Sequence, residues 1–327
     1  MAETERKIPI LIVTDCEPDL RETRPGAGVP WIGFERYFEF LSGKREEVSR
    51  RTRAPAHFSW FWRMDPQIAG TYGSADWAVR TYAGQIAEAK RCGDEIAAHV
   101  HVYRWDAALG RWIADFANDA WVESCVRGAL AEYQRAFGEP CRIFSFGDGW
   151  HNQASVRLIE QLGIKIDLTL EPGCDAVSPS GVGELSTGVH PDRRAMPTRP
   201  YRPSTSDFLK PDSDGRTQLW FLPMSSGPEH PGWARHQPGF FARLAGAKPP
   251  RVKINLAFEP ERFMPMFEAA LSGKSPAYAA IAVRSDVGNN DGLLRYTDNN
   301  LQSILDHRLA DRFVFMAPTE ALAMLTN

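Results

Sequence analysis

Ile8-Pro9-Ile10-Leu11-Ile12-Val13-Thr14-Asp15-Cys16-Glu17 is an apolar run that closes on two carboxylates, and its reading decides that of the whole chain. A second run, Asp94-Glu95-Ile96-Ala97-Ala98, closes on His99-Val100-His101. In a strand, residues two apart share a face, so Asp15 and Glu17 project together, and so do His99 and His101. Two imidazoles and a carboxylate are a common donor set for a divalent metal that keeps open coordination positions. A further carboxylate beside them is placed to act as a general base. The carboxyl ends of parallel strands are where an α/β barrel or open α/β sheet puts its chemistry. Taken singly, an Asp after a strand is as often a turn former or helix cap, and a His-x-His pair arises by chance. Two such clusters, each closing a β-rich run, point to a metal site.

Composition narrows the rest. A chain of 327 residues holds one large α/β domain or two modest ones. Its 43% hydrophobic and 24% charged residues are ordinary for a soluble globular protein. A net charge of −3 argues against nucleic acid as a partner. Arg50, Arg51 and Arg53 follow glutamates and read as a solvated helix end. Cys16, Cys92, Cys125, Cys141 and Cys174 show no C-x-x-C spacing, which suits a reducing cytosol. Met1 to Lys7 is charged and runs straight into the first strand, so neither a signal peptide nor a membrane span is expected. The expected location is cytoplasmic, and the expected partner is a small-molecule or oligosaccharide substrate.

Helical spacing predicts helices over Trp31–Arg51, Ala75–Arg91, Trp121–Phe137, Ala154–Leu162, Glu261–Leu271, Asn300–Leu309 and Thr319–Leu325. Between them lie strand patterns at Ala56–Trp62, Arg142–Phe146, Ile164–Leu170, Gln218–Leu222, Val252–Phe258, Tyr278–Val283 and Phe313–Met316. This β-α alternation predicts a parallel sheet, wound by right-handed crossovers. Residues 171–216, rich in Gly, Pro, Ser and Asp, read as a long insertion over the mouth of the site within one domain spanning 1–327.

The order of these motifs resembles the polysaccharide deacetylase (NodB-homology, carbohydrate esterase family 4) superfamily, from Ile8 to about Leu325. Thr14-Asp15-Cys16-Glu17 resembles the D-x-D/E form of its first motif. Gly93-Asp94-Glu95-Ile96-Ala97-Ala98-His99 is similar to its G-H-E-I-x-x-H strand, and His99-Val100-His101 followed by Trp105 resembles an H-x-H-P-W version. Phe146-Gly147-Asp148-Gly149-Trp150 resembles its glycine-rich turn, and Leu162-Gly163-Ile164-Lys165-Ile166-Asp167 its later L-G strand. The resemblance implies a deformed (β/α)7-type barrel and metal-dependent removal of an N- or O-acyl group from a sugar or related amide. It implies Asp15 as general base and Glu17, His99 and His101 as ligands of a divalent metal ion, zinc foremost.

Two positions depart from that pattern. Phe146 and Gly147 stand where relatives carry an arginine that steadies the catalytic carboxylate. Arg284-Ser285-Asp286 stands where a late strand should end in the general-acid histidine, leaving His151 or Asp286 as candidate acids. Arg284 is expected to pair with Asp15 or to bind an anionic substrate group; the plainer alternative is a surface pair with Asp286. Among ten tryptophans, Trp105 and Trp150 sit beside the proposed chemistry and are the candidate sugar-stacking residues. Asp148 and Glu171 are further candidates for substrate contact. His190, His230 and His236 read as exposed loop residues. Other readings are a non-catalytic carbohydrate-binding relative and a glycoside hydrolase on a similar barrel, which needs two carboxylates flanking one bond.

Overall fold

In the computed structural model, which describes residues 6–20, 24–177, 186–229, 251–272 and 277–326, β1 (Ile8–Cys16) is an inner strand of a parallel sheet, with neighbours on both sides. Both its faces are apolar, as a strand covered on two sides requires. Ile10, Ile12 and Cys16 join the large core shared with the helices, whereas Leu11 and Val13 join a second core with Phe61, Ala97, Ile143, Ala280 and Ala282. The small alanines in this second set allow the sheet to curl tightly around it.

Helix α1 (Ile32–Thr52) follows, then β2 (Ser59–Arg63), the short helices α2 (Pro66–Tyr72) and α3 (Trp77–Thr81), α4 (Ala83–Arg91) and β3 (Glu95–Val100). A hairpin of β4 (Tyr103–Asp106) and β5 (Arg111–Asp115) precedes α5 (Asp119–Phe137), β6 (Ile143–Phe146), α6 (Gln153–Gln161) and β7 (Ile166–Asp167). Beyond these come β8 (Ser186–Thr187), β9 (Trp220–Phe221), β10 (Ser226–Pro228), β11 (Arg251–Lys253) and α7 (Pro260–Leu271). The chain closes with β12 (Ala279–Arg284), α8 (Asp291–Leu305), β13 (Phe313–Phe315) and α9 (Pro318–Thr326).

The sheet runs β12-β1-β2-β3-β6-β7-β9, every pair parallel, with β13 added beside the first residues of β1. The β-α alternation predicted a parallel sheet, and the sheet is curled into a half-barrel, in line with the deformed barrel that the resemblance implied. Its ends approach one another: Ser225 N donates to Ala280 O and Met224 N to Leu170 O, while Ala282 N donates to Ile254 O. No helix among the described residues is long and apolar enough to cross a membrane.

Several boundaries differ from the sequence reading. The helix expected over Ala75–Arg91 is broken at Tyr82. Helix α2 was not expected; Asp65 caps it through Gln67 N and Ile68 N, with Pro66 at its first position. The helix placed at Asn300–Leu309 instead starts at Asp291, because the Asn290 side chain accepts from Gly292 N and Leu293 N. Of Val252–Phe258, only Val252 and Lys253 fall in a strand, β11, antiparallel to β10, while Asn255 makes an isolated parallel bridge to Ala282. Within the 171–216 insertion, β8 pairs with β5, Val177 bridges His190, and Tyr201 bridges Phe221. The insertion is thus tied to both the hairpin and the sheet.

Asp94 anchors the layer of helices to the sheet. Its buried carboxylate accepts Arg45 Nη1 and Nη2 at 2.8 Å each, Phe58 N at 2.9 Å and Trp60 Nε1 at 2.8 Å. Asp94→Ala leaves a largely buried guanidinium and an indole N–H without their partner. The expected loss is about 3–5 kcal/mol, read as a lower urea midpoint at unchanged m-value. A loss below about 1 kcal/mol, the worth of an exposed pair, would show the cluster to be dispensable.

Candidate metal centre

Along each central strand the residues facing the small second core turn polar at the carboxyl end. On β1 the series Leu11, Val13 continues as Asp15 and Glu17; on β2, Phe61 continues as Arg63 and Asp65. On β3, Ala97 continues as His99 and His101; on β6, Ile143 is followed by Ser145; on β12, Ala280 and Ala282 lead to Arg284. The parallel register sets these side by side, pairing Asp15 with Arg284, Arg63 with His99, and His99 with Ser145. Alternation thus carries five strands' functional groups into one place.

Glu17, His99 and His101 offer ligand atoms that lie within 4.8 Å of one another, and all three residues are buried. Glu17 Oε1 is 3.3 Å from His99 Nε2 and 3.0 Å from His101 Nε2. Each imidazole is held through its other nitrogen: His99 Nδ1 lies 2.8 Å from Ser145 Oγ and His101 Nδ1 3.0 Å from Asp148 Oδ2. Such outer contacts fix ring orientation in metal-binding histidines. The Ser285 hydroxyl accepts from Glu17 N at 2.9 Å and donates to Glu17 O at 3.2 Å. Asp15, partly exposed, places Oδ1 3.5 Å from His99 Nδ1 at the edge of the triad.

The charge balance favours a cation. Asp15, Glu17, Asp65, Asp148 and Asp286 gather here against the guanidinium groups of Arg63 and Arg284. Burial alone would raise the Glu17 pKa, but Arg284, His101 and Arg63 hold it well below the usual carboxylate range. Burial and Arg63 push His101 down, yet Asp148 and Glu17 carry it above the ordinary histidine value. Asp148 flanks Nδ1 of this imidazole and Glu17 flanks Nε2, the position a divalent ion would take. These donors fit a two-histidine, one-carboxylate centre.

No family model and no curated protein matches the chain. Solved structures do. A protein named as a polysaccharide deacetylase, from Mycobacterium smegmatis, matches with a TM-score of 0.52 at 12% identity, over 100% of this chain and 93% of that one. The fold is that of the polysaccharide deacetylases. A protein named as a glycoside hydrolase/deacetylase, from Parabacteroides distasonis, gives a TM-score of 0.57 at 12% identity, over 98% of this chain and 71% of that one. At such identity the likeness is one of fold, and the site must be argued from its own residues.

Within this deacetylase fold, Gly147 occupies the place expected of an arginine for a steric reason. A Cβ there would lie 2.0 Å from the His101 ring. The buried cation near the carboxylates comes instead from Arg63, which the sequence reading passed over by ending the second strand at Trp62. The alternation Phe61, Arg63, Asp65 was the available signal.

Other expectations need correction. Arg284 does not pair with Asp15; it forks onto Asp286 (Nε–Oδ1 3.2 Å, Nη2–Oδ2 2.9 Å) while Nη2 stays 3.9 Å from Glu17. That fork occupies both carboxylate oxygens of Asp286, the candidate acid beside His151. His151 is fully buried between Ser155 Oγ at 2.9 Å and Asp167 Oδ2 at 3.1 Å, packed against Phe146 and Phe221. Although this reads as a Ser-His-Asp set, Ser155 is engaged in the cap of α6, so the cluster is structural. Trp150 is buried in a stack on Phe116 and presents no free face. Trp105 packs on Trp112 in the hairpin.

Asp148 and Glu171 both line a cleft of about 340 Å3, together with Gly147, Phe116, His190 and Lys253, and Asp148 joins it to the triad through His101. Glu171 Oε1 is 3.3 Å from Arg193 Nη1. His190 is buried here, not exposed: burial, then Arg193, lowers its pKa, and its ring meets Phe116 edge-on. His230 and His236 lie outside the described residues.

Proposed function

We propose that the protein is a metal-dependent hydrolase that removes an N- or O-acyl group from a sugar or related amide. The observation that carries this is the Glu17-His99-His101 triad at the carboxyl strand ends of a deacetylase fold, with Asp15 on the same strand face beside it. Those three residues would hold a divalent ion, zinc being the best match to the donor set. When bound, such an ion supplies Lewis acidity toward an acyl oxygen and lowers the pKa of water.

The protein's own groups do the rest. Asp15 takes the proton of the attacking water. With His151 sealed in the core and Asp286 held by Arg284, Asp15 is also the group placed to return that proton to the leaving nitrogen or oxygen. Asp148 keeps His101 in the tautomer that aims Nε2 inward. The adjoining cleft, with Phe116, Asp148, Glu171 and Lys253, receives a ring of sugar size, from a small molecule or an oligosaccharide end. Arg284 at the mouth is available to an anion or developing oxyanion on the substrate side. All five cysteines are free, in keeping with a reducing, cytoplasmic setting.

Acetate release from N- and O-acetylated mono- and oligosaccharides tests this reading. Turnover is expected with zinc, lost on chelation and restored by zinc. Release that survives chelation contradicts it. Retained zinc and sugar binding without release favours a non-catalytic binding protein, the reading prompted by the missing acid histidine.

A further inference from the structure

The two oxygens of Glu17 have different partners. Oε1 faces both imidazole Nε2 atoms, at 3.3 and 3.0 Å. Oε2 faces Arg63 Nη1 at 3.2 Å, with Arg284 Nη2 3.9 Å away. Arg63 cannot readily leave. It is wholly buried, its Nε and Nη2 fork onto Asp65 at 2.7 and 2.9 Å, and Nη2 also donates to Gln67 Oε1 at 2.6 Å. Asp65 in turn caps α2 and accepts from His101 N at 3.2 Å. The guanidinium keeps its charge at every working pH.

We propose that Arg63 is a positioning residue that confines Glu17 to ligation through one oxygen. This rests on the metal-centre reading above. A carboxylate free to swing would offer both oxygens and fill a coordination position. Hydrolysis needs that position for water or the acyl oxygen, and catalytic sites keep such places open. With Oε2 committed to a fixed fork, Glu17 has only Oε1 to give. The strut also links the Glu17 carboxylate to the His101 backbone, so ligands from β1 and β3 are set by a single buried group on β2.

A strut of this kind makes an unusual prediction about affinity. Arg63 places a positive charge next to the ion, and it withholds a donor oxygen. In Arg63→Lys the ammonium satisfies Asp65 but lacks the second arm that reaches Glu17. Cobalt(II) is the probe, because its visible absorption weakens as coordination number rises. Arg63→Lys, with Arg63→Gln as companion, is expected to bind cobalt at least as tightly as the wild type. Its visible absorption is expected to fall several-fold, and zinc-supported hydrolysis to drop with it. A merely structural role gives the opposite: weaker binding and an unchanged spectrum for whatever cobalt is bound.

An unchanged spectrum in a folded variant overturns the Arg63 role and leaves the metal centre standing. A wild-type protein that takes up no cobalt overturns both. Should neither variant fold, X-ray absorption and a crystal structure of the cobalt-loaded wild type decide directly: Glu17 bound through one oxygen supports the role, and through two overturns it.

Discussion

Asp15→Asn is expected to take up a divalent ion like the wild-type protein and to hydrolyse its substrate roughly 100- to 10,000-fold more slowly, the span ascribed to a positioned general base. The amide keeps the shape of the carboxylate but cannot accept the proton of the attacking water. Asp15 stands outside the ligand triad, its nearest approach being 3.5 Å to the His99 nitrogen that faces Ser145. Metal content should therefore hold while kcat falls. Full activity in this variant removes Asp15 from the chemistry, and loss of the ion would make it a ligand.

Gly147→Ala is expected to abolish metal uptake by adding one methyl group. The new Cβ would sit 2.0 Å from two ring atoms of His101, far inside contact distance. The ring has little room to retreat: it stacks on Tyr103, with centroids 5.0 Å apart, and is tied to Asp148 and Glu17. Either the β6 turn moves, taking Asp148 with it, or the imidazole leaves the triad. Overpacking of this kind costs about 1–3 kcal/mol, so the variant should fold with a lowered Tm. Isothermal titration with zinc checks the larger effect. A variant that binds zinc as tightly as the wild type would mean that His101 is not a ligand.

The site was legible to the extent that it followed strand alternation. Asp15 with Glu17 and His99 with His101 stood out because each pair closes an apolar run, and the fold brings all four together. Arg63 obeys the same rule but was hidden by the aromatic run Ser59–Trp62, which reads as pure core. Ser145 was equally hidden within Phe144-Ser145-Phe146. His151 misled in the other direction, since nothing local reveals that Asp167, sixteen residues on, buries it from the far strand. Trp150 lies beside the site in sequence, yet its stacking on Phe116 depends on the hairpin, which has no clear periodic signature. Helix starts were lost where a side-chain cap, Asp65 or Asn290, outweighed weak apolar spacing.

Metal stoichiometry by elemental analysis, on protein purified without chelator and then equilibrated with zinc, is the most direct test of the metal centre, with His99→Ala measured alongside. The expected result is one zinc per chain in the wild type and none in His99→Ala, with both proteins folded by circular dichroism. Zinc absent from the wild type, or retained in full by His99→Ala, would contradict a centre built from Glu17, His99 and His101.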